Sequence, residues 1–268
     1  MSDRPADLSI TVRVIGIGPG GPGQLTLDAV DAIGATDVFL LLDKGSRVAE
    51  LNTLREELVA RYGRDGHRVV RVPDPPRDRD PADYDAEVRR WHRARGDALE
   101  ALLRTELSDG QSAAFLVWGD PSLYDSTLRI VDELRDRDGL SLDVSVIPGV
   151  TSAAALTAAF GITAQGIGQA VHITTGRRLA QTPAGADANQ IVMLDSHLAF
   201  TETAADDDHV YWGAFLGTEH QLLISGRVGE VAESIAQARR RGREEHGWIM
   251  DIYLLRRASG RQPGGDGA

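Results

Sequence analysis

Cysteine is absent from this 268-residue chain. That excludes disulfides, thiolate zinc sites, iron–sulfur clusters and a cysteine nucleophile. Lysine is nearly absent: Lys44 is the only one among 29 Lys and Arg residues. Arginine replaces lysine on a solvated surface at little cost, but only lysine gives up its proton readily, so Lys44 becomes a candidate for chemistry. Long apolar runs are missing too. None reaches the ~18 residues of a membrane span, and the opening MSDRPADLS has no apolar signal-peptide core. A soluble cytoplasmic protein is expected. Positive charge is in deficit, with a net charge of −11 that ill suits a general nucleic-acid binder. The 7 histidines lack HxxxH-type spacing, so no metal is expected.

What is present alternates between strand and helix signals. Residues 10–18 (ITVRVIGIG), 37–42, 67–72, 113–118 and 142–147 are short apolar runs of strand type. Helical spacing fills the gaps, with Thr26 as a cap for the first helix, a charged helix over 83–107 and an alanine-rich helix over 152–160. This predicts an α/β domain with a largely parallel sheet. Beyond it come strands at 169–174, 190–194, 209–215, 221–226 and 248–256, with a helix near 197–205. Two of these are close enough for a hairpin, which predicts a mixed second sheet. The expected domains are 9–165 and 166–257, with disordered tails at 1–8 and 258–268. At roughly 100–200 residues per domain, two fit the length.

The first loop reads Gly16-Ile17-Gly18-Pro19-Gly20-Gly21, a literal G-x-G-x-x-G after a strand, and Asp43 ends the next strand. That spacing is the dinucleotide fingerprint, which would make the chain an NAD(P)-dependent oxidoreductase. Pro19 and Pro22 weigh against it, because they remove amide donors from the loop that should cradle phosphates. Two further loops end strands: Trp118-Gly119-Asp120-Pro121-Ser122-Leu123-Tyr124, and Pro148-Gly149-Val150-Thr151-Ser152. Ligands of open α/β sheets sit outside the carboxyl ends of strands, so these loops and Asp43-Lys44 are expected to face one crevice.

The order GIGPGGPGQLTLDAV, GDPSLY, IPGVTSAAA resembles the tetrapyrrole methylases, enzymes of corrin and sirohaem synthesis. The likeness covers about residues 12–230. It implies two α/β domains with a cofactor cleft between them, S-adenosylmethionine as cofactor and a homodimer. It places Trp118, Gly119, Asp120, Leu123, Tyr124, Thr151, Ser152, Met193, Leu194, Gly213, Ala214 and Leu216 on the cofactor. It places Pro19 and Gly20 beside a polycarboxylate tetrapyrrole. Cations are needed there in an acidic protein, and Arg77, Arg79, Tyr84 and His92 fall in the densest basic stretch.

Longer matches, from LLDKGS through PDPPRDRDPADYDAEVRRWHRARG to VYWGAFLGTEHQLLISGRV, imply one branch of the family. Its reaction methylates precorrin-5 at C1 and releases acetate in cobalamin synthesis. Methylation at another corrin position is the nearest alternative. Asp43 matches the family's acidic residue at the second strand end. The lysine of relatives that methylate uroporphyrinogen has no counterpart, since that region reads RYGRDGHRVV. Lys44 stands beside Asp43 as a second catalytic candidate on its own singularity. A binding protein without turnover remains a third class.

Overall fold

In a computed structural model, residues 8–43, 49–76, 78, 83–179, 181 and 188–258 are described. They form two compact bodies, one up to Gly18 and over Pro22–Val150, the other Pro19–Gly21 and from Thr151 onward.

The first body runs β1 (Leu8–Gly16), α1 (Leu27–Gly34), β2 (Val38–Asp43), α2 (Ala49–Tyr62), β3 (Arg68–Pro73), α3 (Tyr84–Glu106), β4 (Ser112–Val117), α4 (Thr127–Arg135) and β5 (Leu140–Ile147). The five strands are all parallel, in the order β3-β2-β4-β1-β5. Alternation along the strands sends side chains to both faces. Val12, Val14, Leu40 and Phe115 pack with Leu99 and Leu103 of α3 and Ile130 and Leu134 of α4. Ile15, Phe39, Ala114 and Leu116 pack with Ile33 of α1 and Leu58 of α2. Burial on both faces is why β1, β2 and β4 read as apolar runs, while β3 and β5, at the edges, alternate and are more exposed. The chain leaves β1 toward β2 and leaves β4 toward β5, in opposite directions, so β1 and β4 flank the topological switch point.

The second body runs α5 (Ser152–Phe160), β6 (His172–Thr175), α6 (Gly176–Leu179), β7 (Asn189–Met193), α7 (Phe200–Thr203), β8 (His209–Ala214), β9 (Leu222–Arg227), α8 (Val228–His246) and β10 (Asp251–Arg256). The order is β6-β7-β10-β8-β9. β6 and β7 are parallel and the other neighbours antiparallel, with β8 and β9 the expected hairpin. One face packs Val192, Trp212 and Tyr253 against Ile235 and Ala238 of α8. The other packs Ile191, Ile252 and Leu254 against Leu156 of α5.

Two readings shift. The division expected near residue 165 falls between Val150 and Thr151, because α5 buries Ala153, Ala155 and Leu156 on the second sheet. The 19-residue helix α8 has no counterpart among the expected elements. Its N-cap is Arg227, with no side-chain cap bond, and its buried residues are Val228, Ile235, Ala238 and Gly242. A start signal is missing and the apolar stripe is thin, so neither helix cue is strong. Of the expected tails, Leu8 begins β1 and the Ala258 amide bonds Asp208, while residues 1–7 and 259–268 lie outside the described residues.

Candidate functional site

In the first body the loops after β1, β4 and β5 are locked together by glycine. Gly18 and Gly119, both with φ near +70°, exchange backbone hydrogen bonds of 3.2 and 2.8 Å. A Cβ on Gly16 would stand 2.6 Å from the Gly149 nitrogen, and one on Gly149 would stand 2.1 Å from the Gly119 oxygen. No other residue permits that approach. This settles the role of the first glycines. Ile17 N–H donates to Val117 and Gly18 N–H to Gly119, so these amides serve neighbouring backbone and are not turned to a pyrophosphate.

Asp120 completes the lock. Its carboxylate accepts from Gly149 N–H at 2.9 Å, from Ser122 N–H at 2.9 Å and from the Ser122 hydroxyl. Burial raises its pKa, but the Ser122 hydroxyl and the Gly149 and Ser122 amides outweigh that and hold it below the ordinary value. Trp118 is half-buried and packs under the loop with Ile17 and Leu116. Leu123 is half-buried, and Tyr124 is exposed with φ +53°. Burial pushes the Tyr124 phenol up. Beneath the loop, Arg55 of α2 donates to the Leu116 carbonyl at 2.9 Å.

In the second body Thr151 caps α5, its hydroxyl accepting from Ala154 N–H at 3.0 Å, and Ser152 is the first helical residue. Met193 ends β7 and lies in register with Ile252, which in turn pairs with Gly213. Met193 is half-buried against the α5 cluster. Leu194 follows with φ +53° and 67% of its surface exposed. A left-handed leucine costs about 1–2 kcal/mol, and leaving it in water forgoes a further ~1.5–3 kcal/mol of burial. Gly213, Ala214 and Leu216, expected on the adenine, lie at the end of β8 and just beyond it. A Cβ on Gly213 would meet Leu156 at 2.8 Å, and Ala214 and Leu216 are buried in apolar clusters. Gly213 and Ala214 are neighbours on β8 and face opposite sides of the sheet, each against an apolar cluster, and Leu216, beyond the strand, packs with Leu156 and Ile252.

The turn after Leu194 is held by a buried network that sequence reasoning missed. The Asp195 carboxylate accepts from His197 N–H at 3.0 Å, Ala199 N–H at 2.7 Å and the Tyr253 hydroxyl at 2.7 Å. Arg239 of α8 donates to the Asp195 and Ser196 carbonyls and to the Asp251 carboxylate, which also accepts from the Trp212 indole at 3.0 Å. Burial pushes the Asp251 carboxyl up, against the Arg239 charge. Polar residues inside β10, an otherwise apolar strand, were the available signal.

The substrate-side candidates fare unevenly. Pro19 and Gly20 are buried and group with the second body. Asp43 is the last residue of β2, at the carboxyl edge of the sheet; its side chain and Lys44, Arg77 and Arg79 lie outside the described residues. Tyr84 opens α3. His92 is half-buried with its ring 5.4 Å from that of Trp91. In the same basic run Arg95 is structural. It is 3% exposed, donates to both Asp74 oxygens at 2.6 and 2.8 Å, and lies 3.7 Å over the Trp91 ring.

Residues 11–232 match the family model of tetrapyrrole (corrin/porphyrin) methylases. The chain belongs to this family, whose members use S-adenosylmethionine. It is 42% identical over 249 residues to precorrin-6A synthase (deacetylating) from a Sinorhizobium species, spanning 92% of this chain and 95% of that one. A crystal structure of a protein described as cobalamin synthesis related (CobF), from Corynebacterium diphtheriae, shares 43% identity. It has a TM-score of 0.81 and covers 92% of this chain and 98% of that chain. Uroporphyrin-III C-methyl transferase from Thermus thermophilus, complexed with S-adenyl homocysteine, has a TM-score of 0.57 at 19% identity, a likeness of fold. It covers 91% of this chain and 96% of that chain. Family membership and the locked glycine loop together set aside the oxidoreductase reading.

Proposed function

We propose that this chain performs the reaction for which its 42% relative is named, methylating precorrin-5 at C1 with release of acetate to give precorrin-6A. The observation that carries the reading is near-full-length likeness at that identity, covering 92% of this chain and 95% of the relative. The residues fit the cofactor. An exposed leucine beside a strand end offers an apolar rest for a flat base, and the glycine-locked loop offers backbone that a ligand can approach. Trp118, Gly119, Leu123, Tyr124, Thr151, Ser152, Met193 and Leu194 are the proposed holders, with Asp120 supporting the loop from within.

Bound S-adenosylmethionine supplies an electrophilic methyl group. The chain's part is mostly positioning. Asp43 orients a water at the acetyl carbonyl and takes its proton as the water oxygen bonds to carbon. The carbon–carbon bond to the macrocycle then breaks. Its electron pair stays on the ring carbon that accepts the methyl, and acetate leaves. Lys44 steadies the developing negative charge. Arg77 and Arg79, with Tyr84 and His92, are the proposed contacts for the substrate's carboxylates.

Purified enzyme with precorrin-5 and S-adenosylmethionine is expected to yield methylated product and acetate in equal amounts. Methylation without acetate would move the reaction to another ring position. Asp43→Asn is expected to cut turnover at least a hundredfold with cofactor binding intact; near-normal turnover removes the base role. We further infer a cytoplasmic homodimer from the family likeness; among the described residues no helix is long and apolar enough to cross a membrane. Light scattering tests the dimer.

A further inference from the structure

The second body contains two leucines in the same uncommon backbone conformation within one turn. Leu194 has φ +53° and Leu198 has φ +57°. Leu198 is explained by burial, since it is 6% exposed and sits in the core with Phe200 and Tyr253. Leu194 is 67% exposed and packs in no cluster. Its conformation therefore has no reward in its own contacts. Such a residue persists only where its surroundings over-determine it.

The surroundings do so. Asp195 is 7% exposed, and its carboxylate takes three donors, two from the turn itself and one from Tyr253. Gly176 leaves that carboxylate no slack, for a Cβ there would lie 2.4 Å from its carbon. From the far side Arg239 grips the carbonyls of Asp195 and Ser196 at 2.7 and 3.0 Å, and is itself anchored to Asp251 at 2.8 Å. The Arg239 and Asp251 side chains are 12% and 7% exposed and Tyr253 is 1% exposed, so the charged and phenolic groups of the network lie away from solvent.

We infer that Asp195, Tyr253 and Arg239 are positioning residues that hold Leu194 outward as the apolar rest for the adenine of the cofactor. This rests on the methylase reading above and adds to it three residues, from β10, α8 and the turn, that the ligand does not touch. They set affinity for the cofactor through Leu194 alone.

The test is calorimetric titration of the full chain with S-adenosylhomocysteine. Leu194→Gly accepts the backbone but removes the side chain; its Kd is expected to rise about tenfold. Tyr253→Phe keeps the ring and removes one donor from Asp195; its Kd is expected to rise about fivefold. In the double variant Tyr253→Phe should add less than twofold. Arg239→Lys, which keeps the charge on Asp251 but loses the fork, should raise Kd in the same coupled way. A merely structural network would lower the melting temperature of both variants and leave this coupling at zero. The inference is overturned if Tyr253→Phe and Arg239→Lys bind within twofold of the unaltered chain, or if their effects persist undiminished with Leu194→Gly. Failure of the unaltered chain to bind S-adenosylhomocysteine would overturn the methylase reading, and this inference with it.

Discussion

The two bodies fix the loops at their strand ends by different chemistry. In the first, backbone meets backbone: Gly16, Gly18, Gly119 and Gly149 come so close that a methyl group has no room, and Asp120 ties the join. In the second, a buried polar cluster shapes a turn around Asp195, and Gly176 serves only to seat that carboxylate. The first device needs particular residues at fixed places in loops. The second needs partners from three separate elements. A parallel sheet with a switch point brings three loops to one edge, so glycine suffices. The second sheet has no such convergence, and the long helix α8 supplies the missing hand through Arg239.

Breaking each device should separate them. Gly149→Ala has the largest expected effect, because the obstacle at 2.1 Å is a carbonyl that is itself hydrogen-bonded. A loss of about 3 kcal/mol or more is expected in denaturant unfolding. Gly176→Ala comes next, at about 2 kcal/mol, since its obstacle is a clamped side chain 2.4 Å away. If the second loss equals or exceeds the first, backbone locking is not the stiffer device.

Acid sharpens the comparison further. The lowered folded-state pKa of Asp120 stabilises above its ordinary value of 3.8 and loses that contribution as pH falls through the folded value. Unfolding followed from about pH 5 to about pH 3 should therefore show a shallower acid loss in Asp120→Asn than in the unaltered chain. Asp251 has the opposite sign. Its raised pKa means that protonation is favoured in the folded state, so Asp251→Asn should steepen the acid loss. The smallest effects are matched. Thr26 caps α1 and Thr151 caps α5 with hydroxyl bonds of 3.1 and 3.0 Å to the amide three residues on. Each Thr→Ala should cost about 1 kcal/mol, and unequal losses would point to a second role for one threonine.

The same contrast explains what was legible beforehand. Glycine, proline and short apolar runs carry local information, so the parallel sheet, the Thr26 cap and the loops of the first body could be read along the chain. The coarse second sheet and its β8–β9 hairpin were legible for the same reason. Helix α8 was not, because Arg227 gives no start signal and its few buried positions are mostly small or widely spaced. Nor was the Asp195 network, since Tyr253 and Arg239 lie 58 and 44 residues from Asp195. Ala214 and Leu216 show the converse. A motif drew attention to them, but their burial in two different apolar clusters was not readable from it.

The turn at residues 194–199 has one more consequence. Its backbone course is specified by Asp195, Tyr253 and Arg239, none of which is residue 194. Occupant and frame are thus separable. A side chain of another size or polarity at 194 changes what the turn presents without rerouting the chain, as a bit is changed in a fixed holder. That makes position 194 an exchangeable fitting, whose side chain can be altered while the scaffold around it is left alone.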